Sequence, residues 1–439
     1  MQETLSHYFG YDTFRPGQEE IISKIIDHRN VLGVLSTGGG KSICYQVPGL
    51  MLGGTTIVIS PLISLMKDQV DQLKAMGINA AYINSSLTQK QQKEIEQDLI
   101  SGHIQFLYVA PERFENQYFL SQLRKVNIRL VAFDEAHCIS KWGHDFRPSY
   151  QNVIQKVFTL PQDFAIVALT ATATAEVQQD IMAKLNIDAN DEVKTSTKRR
   201  NLIFKVNPTY QRQKFVVDYV TEHNEEAGII YCSTRKQVEE LQEVLESHKV
   251  KCTIYHAGLT NKEREAAQND FLYDRVNVVI ATNAFGMGID KSNVRFVIHY
   301  NMPGDLESYY QEAGRAGRDG LKSECILLFS ERDRGLHEYF ISVSQADDDY
   351  KEKMGEKLTK MLQYTKTKKC LEATIVHYFE PNEKLEECKQ CSNCIQENKT
   401  YDMTREAKMI ISCVARMRQQ ESYSVIIQVL RGETTDYIK

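Results

Sequence analysis

The stretch Leu35-Ser36-Thr37-Gly38-Gly39-Gly40-Lys41-Ser42 follows the apolar run Val31-Leu32-Gly33-Val34 and precedes a helical pattern. A strand, a glycine-rich turn and a helix in that order bring several backbone N–H groups together at the positive end of a helix dipole. Such an arrangement binds phosphate. In loops of this kind the lysine reaches the β- and γ-phosphates and the next hydroxyl holds Mg²⁺. Those roles fall to Lys41 and Ser42, with Thr37, Gly38, Gly39 and Gly40 as the cradle. Leu35 stands where the consensus has its first glycine. A flexible glycine turn is the competing reading, and it leaves the strand before the loop and the Lys-Ser pair after it without a purpose.

A bound nucleotide sets what the rest of the chain has to supply. At 439 residues the chain is long enough for about three domains with real cores. Hydrophobic residues at 42% and charged residues at 25% are ordinary for a globular protein. There is no run of eighteen apolar residues, and Met1-Gln2-Glu3-Thr4 begins no signal peptide, so a cytoplasmic protein is expected. A net charge of −5 decides nothing about nucleic acid, because a binding groove needs local positive charge only. Six cysteines (Cys44, Cys138, Cys232, Cys252, Cys325, Cys413) are scattered among apolar or mixed stretches, as buried thiols are in a reducing compartment.

Near the N-terminus, Tyr8 to Gln18 is aromatic and turn-rich and leads into a helix from Glu19. The Gln18 amide could bond both edges of an adenine while Tyr11 and Arg15 stack on its ring. Taken alone, such a glutamine is a solvated residue; the phosphate loop is what makes the adenine reading useful.

Beyond the loop, Thr55 to Ser60, Gln105 to Val109, Leu130 to Asp134 and Ala165 to Val167 read as buried strands, and Leu62 to Met76 as a helix. The βα alternation predicts a parallel sheet with helices on both faces and nucleotide at the carboxyl ends of the strands. Asp134-Glu135-Ala136-His137 lies at such an end. Asp134 is placed to coordinate Mg²⁺ and Glu135 to orient or deprotonate an attacking water. A solvated strand terminus is the usual reading of two adjacent acids, and the phosphate loop on an earlier strand argues against it.

The next stretch, Cys138 to Pro148, contains the only tryptophan, Trp142, together with Lys141, His144, Phe146 and Arg147. Interleaved aromatics and cations suit single-stranded nucleic acid, since bases stack and phosphates pair. A partly buried core tryptophan is the alternative. Position beside the acids favours a loop that couples nucleic acid to the nucleotide. Leu169-Thr170-Ala171-Thr172-Ala173 ends a further strand, with hydroxyls that either link the acidic pair to a neighbouring domain or cap the helix beginning near Ala175.

The charge-rich segment Asp188 to Asn201, including Lys198-Arg199-Arg200, breaks the apolar pattern and marks a domain boundary. A second βα run follows, with strands at 228–231, 251–255, 276–281 and 296–299 and helices near 236–247, 261–272 and 306–313. It has no phosphate loop. It carries Thr282 and Asn283, and then Gln311-Glu312-Ala313-Gly314-Arg315-Ala316-Gly317-Arg318. Arg315 and Arg318, three residues apart in a glycine frame, can reach a γ-phosphate across a cleft as arginine fingers do. Gln311 opens the same segment and joins the catalytic candidates.

Past Phe329 the pattern is helical and charged, and it contains Cys370, Cys388, Cys391 and Cys394. Four thiolates satisfy a tetrahedral zinc site, an iron–sulfur cluster could use the same set, and disulfides are the weakest reading. The metal is expected to be structural because protein fills all four positions.

In order and spacing, the Thr37 to Ser42 loop, the Asp134 to His137 box, the Trp142 to Pro148 loop and the Tyr309 to Arg318 segment resemble a RecQ-type DNA helicase of superfamily two. The resemblance covers nearly the whole chain, and its middle two elements are the most specific. It removes the anomaly of Leu35, because these helicases do not keep that glycine. It implies an α/β fold of two RecA-like parallel-sheet lobes (1–200, 201–340), a helical zinc-binding subdomain (341–400) and the opening part of a winged-helix domain (401–439). It also implies that Tyr11, Arg15 and Gln18 form the adenine site, that the Trp142 loop couples DNA to hydrolysis, and that Arg318 is the finger. Ser60, Thr282 and Asn283 would join Trp142, His144, Phe146 and Arg147 on the strand-binding track.

The expected cofactors are ATP, Mg²⁺ and Zn²⁺, and the expected activity is ATP-driven movement along single-stranded DNA, 3′ to 5′, with duplex unwinding in recombination and repair. Expected partners are single-stranded and duplex DNA and a single-stranded DNA-binding protein, with no membrane; the expected state is a monomer in the cytoplasm, nucleoid-associated if bacterial. Two alternatives remain at this point: an RNA helicase or nucleosome-type remodeller on the same core, and a zinc-bearing DNA-binding or strand-annealing protein whose ATP site regulates affinity. The winged-helix domain is expected to be incomplete, which bears on duplex separation more than on hydrolysis.

Overall fold

The structure, a computed structural model, describes residues 1–61, 63–84, 87–143, 145–161, 163–286, 291–384, 386–395, 404–418 and 421–433. Met1–Ile395 forms one compact unit and Gln396–Lys439 a second.

Seven strands build the first sheet: β1 (Val31–Val34), β2 (Thr55–Ile59), β3 (Ala80–Ile83), β4 (Phe106–Val109), β5 (Ile128–Phe133), β6 (Ala165–Thr170) and β7 (Glu192–Lys194). They lie in the order β3-β4-β2-β5-β6-β1-β7, and every pair is parallel. Helices on both faces explain the composition of the central strands. β1, β2, β4 and β6 are buried along their whole length, and apolar or β-branched residues fill them almost throughout. The order places β5, β6 and β1 side by side, with Phe133 beside Ala168 and Val34 beside Thr170. Their carboxyl ends therefore bring Asp134, the Thr170 turn and Leu35 to one edge of the sheet.

The second sheet contains β8 (Leu202–Pro208), β9 (Ala227–Tyr231), β10 (Cys252–Tyr255), β11 (Val278–Ala281), β12 (Val294–His299) and β13 (Ser323–Phe329), in the order β10-β11-β9-β12-β13-β8. It too is parallel. Helices occupy Arg235–Ser247, Asn261–Leu272 and Leu306–Ala313, where the periodicity puts them.

Four strands have no counterpart in the sequence reading: β3, β7, β8 and β13. β7 lies inside the charged stretch taken as a domain boundary. Its backbone pairs with β1, Leu32 beside Glu192, while Val193 between the two charged residues is buried. Parallel pairing and one apolar contact suffice for an edge strand of three residues.

After β13 come helices Glu331–Val343, Asp348–Lys366, Leu371–Phe379 and Ser392–Ile395. This segment shares its core with the second lobe: Leu358, Met361, Tyr364, Leu371 and Phe379 belong to the same cluster as Phe204, Tyr309 and Tyr310. Helix Leu371–Phe379 begins directly after Cys370, which is its N-cap, the sulfur accepting the Ala373 N–H. In the second unit, helices Thr404–Arg416 and Tyr423–Leu430 pack on each other. Among the described residues, no helix is long and apolar enough to cross a membrane.

Candidate active site

The loop after β1 turns through two residues in the left-handed region, Gly38 at φ +80° and Gly40 at φ +73°. A side chain at either position is strained, and a Cβ on Gly40 would also sit 2.5 Å from Gln18 Nε2. Gln18 is buried, and its amide donates to Gly39 O at 3.2 Å and Gly40 O at 3.0 Å while accepting the Arg15 N–H at 2.8 Å. The Arg15 guanidinium donates to Gly38 O. Two of the three residues expected at the base are thus tied to the phosphate loop itself. Tyr11 is half exposed and lines the cleft above them.

Asp134 is held at the end of β5 by its N–H on Ile59 O (2.9 Å) and by the Tyr150 hydroxyl on its carbonyl (3.0 Å). Burial, and then the neighbouring Glu135 carboxylate, push the Asp134 acid up to about 7 against the opposing pull of Lys41. A divalent cation would relieve that cost, and the Ser42 hydroxyl lines the same cleft. The oxygen donor set fits Mg²⁺. Glu135 has φ +47°, left-handed for a residue with a side chain, a strain of roughly 1–3 kcal/mol that clusters at functional sites. Its Oε2 lies 3.4 Å from Nδ1 of the fully buried His137, which is 3.0 Å from Thr170 Oγ1. The Thr170 hydroxyl thus bonds His137, within the same lobe, and is no helix cap. The residue at the N-cap of the next helix is Thr174.

From the second lobe, helix Leu306–Ala313 carries Gln311 and ends in the turn bearing Arg315 and Arg318. A cleft of about 440 Å³ is lined from one lobe by Tyr11, Arg15, Gln18, Thr37, Gly38, Gly40, Lys41, Ser42, Asp134 and Glu135, and from the other by Gln311, Arg315 and Arg318. Gly39 contributes through its carbonyl on Gln18. The lobes touch here: the stem of Arg318 lies 3.4 Å from the Cβ position of Gly38.

The described residues expected on a strand-binding track do not line this cleft. Trp142 is half-buried against the first lobe's core, with Lys141 and Lys353 ammonium groups 5.5 and 5.7 Å from its ring centre. Arg147 is engaged within the protein, on Asp145 Oδ2 and on Pro61 O at 3.1 Å. Phe146 is half-buried, Ser60 and Thr282 are buried at strand ends, and Asn283 is exposed. His144 lies outside the described residues.

The four cysteines converge. The sulfurs of Cys370, Cys388, Cys391 and Cys394 all lie within 4.8 Å of one another. Tetrahedral zinc with bonds of about 2.3 Å sets its sulfurs roughly 3.8 Å apart. Backbone N–H groups of Leu371, Ala373, Cys388 and Cys391 point at the sulfurs of Cys391, Cys370, Cys370 and Cys388, at 3.3–3.5 Å. Such donors stabilise thiolates and orient them, so the donor set fits zinc.

Four known families match in sequence along the chain: DEAD/DEAH box helicase (residues 15–181), helicase conserved C-terminal domain (211–320), RecQ zinc-binding (331–395) and RQC domain (397–439). ATP-dependent DNA helicase RecQ of Bacillus subtilis (strain 168) is 48% identical over 432 residues, 98% of this chain and 73% of that protein. The chain belongs to the RecQ family. RecQ of Haemophilus influenzae is 41% identical over 98% of this chain and 69% of its own length. Among solved structures, S. cerevisiae Dbp5 bound to RNA and ADP BeF3 superposes with a TM-score of 0.62 at 20% identity, over 82% of this chain and 97% of that one. That likeness concerns the two-lobe fold. The RecQ zinc-binding match spans all four clustered cysteines.

Sequence reasoning did not single out several residues that organise this RecQ site: His137 as the bridge to Thr170, Arg199, and the Lys357–Glu307 pair behind the Trp142 loop. Arg199 was hidden in a run of three cations inside a charge-rich segment that reads as a domain boundary.

Proposed function

We propose that the protein is an ATP-driven DNA helicase that moves 3′ to 5′ along single-stranded DNA and unwinds duplexes in recombination and repair. The cleft shared by both lobes supports this most strongly, because the loop, the acids and two arginines line one space large enough for a nucleotide. In this reading Tyr11, Arg15 and Gln18 meet the base, the Arg15 and Gln18 side chains giving up their bonds to the Gly38, Gly39 and Gly40 carbonyls to do so, and Thr37 to Ser42 cradle the phosphates. Ser42 and Asp134 would hold Mg²⁺, which when bound neutralises phosphate charge. Glu135 orients the attacking water and takes its proton, with His137 steadying the carboxylate. Lys41, Arg315 and Arg318, aided by Gln311, face the charge that develops on the γ-phosphate. Both lobes contribute, so hydrolysis and release alter how tightly they close, and the grip on the strand alternates. Cys370, Cys388, Cys391 and Cys394 would hold zinc.

Ser60, Trp142, His144, Phe146, Arg147, Thr282 and Asn283 form the track and its coupling loop. The protein acts as a cytoplasmic monomer, associated with the nucleoid if bacterial, on DNA handled by a single-stranded DNA-binding protein. The test is ATPase activity with single-stranded DNA, with RNA and with neither, together with unwinding of a tailed duplex, for wild type and Lys41→Ala. Hydrolysis stimulated by DNA and lost in the variant, with unwinding, is expected. Equal stimulation by RNA points to an RNA helicase instead. Hydrolysis without unwinding leaves a translocating ATPase.

A further inference from the structure

Arg199 lies in the connection between β7 and β8, where the chain passes from one sheet to the other. Its guanidinium makes four hydrogen bonds, all to main-chain carbonyls. Nη1 donates to Thr37 O at 3.2 Å and to Gly314 O at 2.8 Å; Nη2 donates to Ala316 O at 3.1 Å and to Gly317 O at 2.7 Å. Thr37 belongs to the phosphate loop of the first lobe, and Gly314 to Gly317 is the turn that carries Arg315 and leads into Arg318. One planar fork thus fastens the two halves of the cleft together. The close approach of the halves has an independent sign, since a Cβ on Gly314 would come within 2.9 Å of Thr37 Oγ1.

The chemistry of the contact suits a guanidinium and little else. Gly314 is the C-cap of helix Leu306–Ala313, so its carbonyl lies at the negative end of that helix's dipole, which favours a cation there. Among the described residues no carboxylate pairs with the Arg199 side chain, so its charge is directed at those carbonyls. An ammonium has no rigid fork with which to span four acceptors. The backbone on either side is held as well: the Thr197 N–H donates to Glu380 Oε1 at 2.7 Å, and Gln390 Nε2 donates to Arg200 O at 2.8 Å. Arg199 itself does not line the cleft.

We propose that Arg199 is a positioning residue that sets the distance between the phosphate loop and the arginine-bearing turn, so that Arg315 and Arg318 reach the γ-phosphate. The inference rests on the reading of those two arginines given above. Arg199 acts through them, so its loss lowers turnover and leaves nucleotide binding by the first lobe in place. A residue that merely stabilises the fold would not give this pattern.

The experiment measures kcat and KM of the ATPase with single-stranded DNA, and the affinity for a fluorescent ATP analogue, in wild type, R199A, R199K, R318A and R199A/R318A. In R199A, kcat is expected to fall about tenfold or more, with KM and nucleotide affinity within about threefold of wild type. R199K, which keeps the charge and most of the volume, is expected to be impaired similarly, and it carries the test alone if R199A does not fold. In the R318A background the loss of Arg199 is expected to cost less than it does in wild type, because Arg318 is one of the two arginines through which Arg199 acts. Near-wild-type turnover in R199A or R199K overturns the proposal. So do multiplicative losses in the double variant when R318A alone is costly. An R318A enzyme with wild-type turnover instead removes the reading of the arginine turn, and this inference with it.

Discussion

Lys357 Nζ lies 2.9 Å from Glu307 Oε1, with side-chain exposures of 7% and 3%, and the same ammonium donates to Trp142 O at 2.8 Å. One buried cation therefore joins helix Asp348–Lys366, helix Leu306–Ala313 and the loop that carries the only tryptophan. A buried pair of this kind adds little net stability, but breaking it is costly because the partner charge stays behind. Lys357→Ala is expected to destabilise the protein by about 3–5 kcal/mol in denaturant titration. A loss under about 1 kcal/mol would mean that Glu307 finds water once Lys357 is gone.

Trp142 is held from two sides, through its carbonyl by Lys357 and through its ring by Lys141 and Lys353. Neither contact involves the cleft. Trp142→Ala is therefore expected to keep the affinity for an ATP analogue and to lose the stimulation of hydrolysis by single-stranded DNA. Paired ATPase and nucleotide-binding measurements check this. Unaltered stimulation would reduce Trp142 to a packing residue.

The cysteine cluster bears on the interlobe connection through its surroundings. Lys198 pairs with Glu386 at 3.2 Å, and Gln390, one residue before Cys391, donates to Arg200 O. A structural zinc site stabilises its surroundings by an apparent 10–16 kcal/mol or so in small domains. Cys391→Ser is expected to lower bound zinc below one equivalent by elemental analysis and to make the bond after Lys384 or Lys389 more accessible to trypsin. Retention of a full equivalent of zinc would show that three cysteines suffice.

Much of the site can be read without coordinates because its chemistry is local in sequence. The phosphate loop is eight consecutive residues whose glycines and Lys-Ser pair have meaning only together. Asp134 and Glu135 follow an unbroken apolar run, so their place at a strand end follows from period and length. Gln18 is a partial case. A glutamine beside an aromatic turn points to a base, whereas the structure ties its amide to the carbonyls of Gly39 and Gly40. Those bonds reach across more than twenty residues and leave no periodic trace.

The strands missed in sequence have physical reasons of their own. β7 is three residues long with two charges, and it exists because β1 offers it a free edge. β8 carries Lys205 and Asn207 among its apolar residues and ends in Pro208, so no clean alternation marks it. Lys205 is nonetheless satisfied, paired with Glu324 of β13 at 2.5 Å.

By itself, the sequence determined which residues have the chemistry of nucleotide and metal binding, and that they lie on two parallel α/β lobes with a cysteine-bearing helical segment after them. Spacing and periodicity carry that information within a few tens of residues. Only the tertiary structure decided that the two lobes meet at one cleft, and which side chains hold them there. Arg199 on four carbonyls, His137 between Glu135 and Thr170, and Lys357 between Glu307 and Trp142 each join distant parts of the chain. Their energy depends on burial and on exact partner geometry, quantities that exist only once the chain has closed on itself.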